Sequence, residues 1–129
     1  MRKIITAACS LALLLFFASA MQSDEALTRS GGNIIVQTAT IGKKYRGYKS
    51  YTPVRITISG NKVVHVEALP NKEDPKYFDR AQKVLKQYEG LPVNKALKLK
   101  VDAVTGATYS SESLIGNVKA GLDYYKKHK

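Results

Sequence analysis

Seven consecutive residues, Asp102-Ala103-Val104-Thr105-Gly106-Ala107-Thr108, gather the groups of this chain best suited to chemistry. A carboxylate, two hydroxyls and a glycine stand directly before a stretch with helical periodicity, which puts Thr108 at or near a helix N-cap. The first amides of a helix lack intrahelical partners and point outward. With the helix dipole they attract an anion such as a phosphate. Gly106 permits a tight turn or a close backbone approach. Ala107 keeps the turn small, and Ser110 and Ser111 add hydroxyl donors. The same residues also fit an ordinary helix start, with Thr108, Ser110 and Ser111 as capping residues and Asp102 as a turn former. Residue types alone leave both readings open.

Other chemistry is sparse. The chain has eight tyrosines, of which Tyr45, Tyr48, Tyr51 and Tyr109 stand near the motif or in a basic loop. Flat aromatic rings suit a flat ligand, and Tyr109 is the best placed, next to Thr108; each also fits plain core or loop packing. His65 falls on the polar face of an expected strand and His128 one residue from the end, with no second histidine at metal-ligand spacing. A metal site is therefore not expected. No serine–histidine–acid set has a spacing that suggests hydrolysis, and no residue is assigned a catalytic role.

The elements that must position the motif follow from periodicity. Gln22 to Asn33 is polar and ends in Ser30-Gly31-Gly32, which reads as a flexible linker, with the folded part starting near Ile34. Ile34 to Ile41 is rich in β-branched residues and suits a strand. Gly42 to Tyr51 reads as a loop or irregular hairpin. Val54, Ile56 and Ile58 alternate with Arg55, Thr57 and Ser59, the period of a half-buried strand. Gly60-Asn61 is a turn candidate leading to Lys62–Ala68, with Val64, Val66 and Ala68 expected on one face; the two strands form a β-hairpin. Asp74-Pro75 predicts a helix start. Phe78, Ala81, Val84 or Leu85, and Tyr88 then recur at helical spacing over 75–88. Gly90 ends that helix, and Ala96 to Val101 is a candidate third strand. A last helix is expected over 109–127, with Leu114, Ile115, Val118, Leu122 and Tyr125 on one face.

The motif and its setting resemble a known family. Asp-x-x-(Ser/Thr)-Gly-Ala-Thr is the flavinylation signature of FMN-binding domains. These domains occur in subunits of the sodium-translocating NADH:quinone reductase, in related ion-pumping complexes and in small stand-alone secreted proteins. Each fixed position is met here by Asp102, Thr105, Gly106, Ala107 and Thr108. The layout is similar too: a Gly-Tyr segment, a strand, a Gly-Asn turn and a second strand precede the motif, and an amphipathic helix follows it, over about 45–126. The resemblance implies that a magnesium-dependent flavin transferase moves FMN from FAD onto Thr108, which is an acceptor and not a catalyst. It implies for Asp102 a part in recognition by the transferase, or in orienting the hydroxyl or metal during transfer.

The ends and the composition bear on location. Arg2 and Lys3, the apolar run Ile4 to Phe17 and the small residues Ala18-Ser19-Ala20 read as a secretory signal with Met21 as the first mature residue. The run falls short of the roughly 20 apolar residues that span a bilayer, which favours cleavage over an uncleaved anchor. The one cysteine, Cys9, lies inside this segment, so cleavage leaves no thiol for disulfides, metals or nucleophilic catalysis. Without Arg2 and Lys3 the 21 basic residues become 19 against 10 acidic ones, a charge of about +9. Such a surface is drawn to anionic membranes, acidic proteins or an anionic ligand. No recognition motif accompanies the basic residues, and nucleic acid is not expected as a partner.

These observations predict an exported α+β domain over 34–129, after a signal at 1–20 and a linker at 21–33. A small antiparallel sheet is packed by two helices, with the FMN site at the start of the C-terminal helix. The cofactor-binding residues expected are Asp102, Thr105, Gly106, Ala107, Thr108, Tyr109 and Ser110. The implied role is a periplasmic or cell-surface electron carrier between a membrane donor and an exported redox acceptor, matured by the transferase. Two alternatives are a module that binds FMN or another anion reversibly, and a basic surface or membrane-association protein without flavin.

Overall fold

The structure, a computed structural model, describes residues 26–129. The expected signal at 1–20 and the start of the expected linker lie outside the described residues. Four strands form one antiparallel sheet in sequence order: β1 (Leu27–Ser30), β2 (Asn33–Gln37), β3 (Val54–Ser59) and β4 (Lys62–Ala68). Four helical segments follow: α1 (Pro75–Ala81), α2 (Lys83–Lys86), α3 (Val93–Lys98) and α4 (Thr108–His128). The α+β class expected from periodicity is what the chain adopts.

The β3–β4 hairpin has the expected bounds. Its turn residues Gly60 and Asn61 have φ of 57° and 59°, the paired positive values that match a two-residue turn to the twist of the strands. Val54, Ile56 and Ile58 are fully buried on one face of β3. Each such side chain contributes roughly 1.5–3 kcal/mol by leaving water. They meet Leu114, Val118 and Leu122 in the same apolar core. On β4 the expected alternation fails. The register slips between Thr57 and Ile58, so that Thr57 faces His65 and Ile58 faces Val63. Val64 is the extra residue of a bulge and is exposed, while Val63 and Val66 are buried.

Three further expectations are corrected. Leu27–Ser30, expected within a linker, is an edge strand whose Leu27 pairs with Val36. A polar segment suffices there because little of an edge strand is buried, and Gly31-Gly32 is its hairpin turn. The strand expected over Ile34 to Ile41 stops at Gln37, where Thr38 turns the chain and bonds Val54 N–H. The strand expected over Ala96 to Val101 is instead helix α3 over Val93–Lys98. The outer edge of β4 is already engaged, since Val63 N–H bonds Leu91 O and Gly90 N–H bonds Val63 O, so a further strand finds little edge to pair with there. Val93 and Ala96, three residues apart, are buried instead.

The two expected helices are present, one of them interrupted. Asp74 caps α1 by accepting from Lys76 N–H, with Pro75 at the first position. The segment shifts to i→i+3 bonds at Leu85, Gln87 and Tyr88. Phe78, Ala81, Val84, Leu85 and Tyr88 are nonetheless all buried. Helix α4 crosses the covered face of the sheet and carries the motif at its start.

Candidate functional site

Three segments far apart in the chain line a cavity of about 400 Å³: Tyr48-Lys49, Glu73-Asp74 with Tyr77, and Gly106 to Ser110. The third is the end of the sequence motif. Thr108 is the first residue of α4, exposed, on the cavity wall. The N-cap position belongs to Ala107, and no side chain caps the helix. Thr108 is thus near the cap, as expected, but not at it, and its hydroxyl does not cap the helix. The first helical amide bond is Ser111 N–H to Ala107 O at 3.0 Å. The amides of Thr108, Tyr109 and Ser110 precede it, at the positive end of the helix dipole.

The loop before the helix is held by Ser111. Its hydroxyl accepts from Val104 N–H at 3.1 Å and donates to Ala107 O at 2.7 Å. Gly106 has φ of 85°, a conformation an L side chain adopts only with strain. Asp102 and Thr105 are exposed in this loop and do not line the cavity. Both are open to an enzyme acting on the loop.

Ser110 departs from expectation. It lines the cavity, but its hydroxyl donates to Glu73 Oε1 at 2.8 Å and is not free for a ligand. Glu73 is the residue that sequence reasoning missed. It is 7% exposed and accepts backbone N–H bonds from Tyr48, Lys49 and Ser50 at 2.7, 2.7 and 2.8 Å. Burial pushes its pKa up, but the bonds from Ser110, Lys49, Tyr48 and Ser50 outweigh that and hold it below its ordinary value. One ionised carboxylate thus ties the loop at 48–50 and the first turn of α4 to the segment before α1. Gly47 lets the loop come this close: a Cβ there would overlap the Glu73 carboxylate. Only the proximity of Glu73 to the Asp74-Pro75 helix start was visible in sequence, because its donors lie 23 to 37 residues away.

Two more buried polar pairs continue the seam along α4. Ser113 meets the Thr52 hydroxyl, and Asn117 accepts from the Thr38 hydroxyl at 2.7 Å. Of the tyrosines singled out in sequence, Tyr48 and Tyr109 come together at the cavity. Their ring centres are 6.0 Å apart at 38°, and they are 72% and 64% exposed. Tyr77 joins them on the wall. Tyr45 and Tyr51 do not line it. His65 is exposed on the outer face of the sheet, 2.6 Å from the Glu89 carboxylate.

A concave site with aromatic walls, one helix start and an exposed threonine hydroxyl suits a flat ligand bearing a phosphate. The comparison with known families agrees: a family model described as FMN-binding domain matches residues 47–123. The chain belongs to this family, and FMN is the cofactor that membership indicates. No curated protein and no solved structure matches the chain. The matched region begins at Gly47 and contains β3, β4 and every helical segment up to Asp123; β1 and β2 precede it. The residues present fit the cofactor, since the cavity volume falls within the range of roughly 300–1,000 Å³ typical of small-molecule sites.

Proposed function

We propose that this chain is an exported electron carrier with FMN esterified through its phosphate to Thr108. The observation that carries this reading is Thr108 itself. It is exposed, at the first position of an uncapped 21-residue helix, on the wall of the cavity. In the maturation step the Thr108 hydroxyl oxygen forms a bond to the flavin-side phosphorus of FAD. The pyrophosphate bond breaks, AMP leaves, and the hydroxyl proton is released. The transferase supplies the magnesium and the catalysis; this chain supplies the acceptor.

Bound FMN supplies a reversible couple of two electrons and two protons. The chain's residues do the rest. The helix start receives the phosphate charge, Gly106 keeps the loop free of a side chain, and Tyr48, Tyr77 and Tyr109 offer apolar walls to the ring. The described residues build one sheet-and-helix unit with the cavity open at its surface, which suits a carrier between a membrane donor and an exported acceptor. Export rests on Arg2-Lys3, the apolar run to Phe17 and Ala18-Ser19-Ala20. The basic composition would keep the carrier near an anionic membrane surface or an acidic partner.

Co-expression with a flavin transferase, followed by intact mass measurement, tests the proposal. The mature chain should gain one FMN minus one water, and Thr108→Ala should abolish the gain in a folded protein. The uncapped amides would also suit reversible FMN binding. Fluorescence on a denaturing gel separates the two readings, because only an esterified flavin survives denaturation. A wild-type chain that never gains mass, with a transferase active on another substrate, leaves the reversible module as the function.

A further inference from the structure

The surface around the cavity mouth has a composition of its own. Among the described residues five large apolar or aromatic side chains are exposed, and four of them are Tyr48, Tyr51, Tyr77 and Tyr109. Three of these line the cavity. Tyr51 joins them through Arg46, which bridges to it in the backbone and also donates to Lys49 O at 2.9 Å. Cations lie over two of the rings, Arg46 at 5.6 Å from the centre of Tyr51 and Lys76 at 5.9 Å from that of Tyr77.

The charges of two of the lining segments are one-sided. The stretches 43–51 and 72–77 carry Lys43, Lys44, Arg46, Lys49, Lys72 and Lys76, whereas Asp79, Asp102 and Glu112 are exposed just beyond the lining residues of the two helix starts. The carboxylates within 43–51 and 72–77, Glu73 and Asp74, are engaged by local donors: Glu73 by the loop amides and Ser110, Asp74 by the Lys76 amide. The outer face of the sheet differs. Among the described residues the only lysine or arginine paired with a carboxylate is Arg55, with Glu67, and His65 stands beside Glu89 on the same face.

We propose that this tyrosine-and-cation rim is where an acidic redox protein docks to exchange electrons with the flavin; the proposal rests on the flavin-carrier reading above. Tyrosine and arginine are the residues that protein interfaces concentrate, and opposite charge steers and orients the encounter. The rim surrounds a concave site and presents phenol rings with polar tips, the form of a protein-docking surface. Lipid insertion would call for projecting leucine, phenylalanine or tryptophan. Docking here puts the partner at the mouth of the flavin cavity.

Electron exchange with small charged oxidants tests the field at the mouth. The flavin-loaded chain is reduced and mixed at low salt with ferricyanide, or with hexaammineruthenium(III). Each reduced flavin is oxidised by two oxidant ions, each ion gains one electron, and two protons pass to water. The double variant Arg46→Glu with Lys76→Glu is compared with Lys126→Glu with Lys129→Glu, which makes the same change in net charge at the far end of α4. The rim variant should slow ferricyanide by about 10-fold and speed the cationic oxidant, whereas the far variant should change either rate by less than about 2-fold. Lys76→Glu alone puts negative charge in the first turn of α1, where the dipole favours it. It guards against a misfolded double variant and should show the same direction. Equal effects of rim and far variants would mean that only net charge matters and would overturn the proposal. So would loss, in the rim variant alone, of sedimentation with vesicles of equal parts phosphatidylcholine and phosphatidylserine, which assigns the rim to the membrane. A chain that carries no flavin overturns the carrier reading first, and is seen in the mass before any kinetics.

Discussion

The Ser110 hydroxyl donates to the buried Glu73 carboxylate at 2.8 Å, joining the first turn of the C-terminal helix to the segment before α1. Because Thr108 is two residues earlier on the same turn, this bond ties Thr108 to the opposite wall of the cavity. Removing the carboxylate leaves the Tyr48, Lys49 and Ser50 amides and the Ser110 hydroxyl without their acceptor. Glu73→Ala should destabilise the protein by about 3 kcal/mol, as lost bonds to a charged group do. Glu73→Gln should cost less, since its carbonyl still accepts. Urea unfolding measures both. Equal stability of Glu73→Ala and wild type would show that the loop does not depend on this residue.

Acid should act through the same group. The folded-state pKa of Glu73 lies below its ordinary value of 4.5. A depressed carboxylate contributes stability that is full above the unfolded pKa and is lost as pH falls through the folded one. The urea midpoint of wild type should therefore fall below pH 4.5, and more steeply than that of Glu73→Gln. Parallel curves would assign the acid loss to other carboxylates.

Flavin attachment should separate the hydroxyls of the motif. Thr108→Ser keeps an acceptor and should retain part of the FMN mass gain. Thr105→Ser should be tolerated, since either residue meets the pattern, and Asp102→Ala should impair the gain without removing the acceptor. Because Ala107 and not Thr108 occupies the cap, Thr108→Ala should change stability by no more than about 0.5 kcal/mol, as for an exposed surface site. A full gain in Thr108→Ala would move the attachment to Thr105 or Ser110.

Gly47 offers a steric test. A methyl group there would overlap the Glu73 carboxylate, so Gly47→Ala should cost about 1–3 kcal/mol, as overpacking does. It should also reduce flavin attachment by shifting the Tyr48 loop. A crystal structure of the variant with the Glu73 bonds intact would contradict this account.

The bulge on β4 makes neighbouring valines unequal. Val63 is fully buried and Val64 half-exposed. Val63→Ala should cost about 2 kcal/mol by leaving a cavity, and Val64→Thr should stay within about 0.5 kcal/mol. Thermal unfolding of the pair would reveal any reversal, which would restore the simple alternation.

Local patterns carried much of this protein. The alternation in Val54–Ser59 and the Gly60-Asn61 turn determined a hairpin whose bonds are made between near neighbours. The apolar stripe at Leu114, Val118, Leu122 and Tyr125 determined which face of α4 meets the sheet. The order Asp102 to Thr108 determined where FMN chemistry is to be sought. Tertiary structure decided the rest. The run Ala96 to Val101 alternates like a strand, but the edge of β4 was already engaged by Gly90 and Leu91 and a helix formed just before it. Val64 was expected inside, and a slip in pairing with a different strand turned it out. A second stripe on α4 runs from Ser110, read in sequence as a ligand donor, through Ser113 and Asn117, which drew no reading. It is buried because Glu73, Thr52 and Thr38 come to meet it from distant parts of the chain. Periodicity reports which side of an element avoids water. It does not report which buried polar group will find its partner, because that depends on hydrogen bonds closed between residues that only folding brings together.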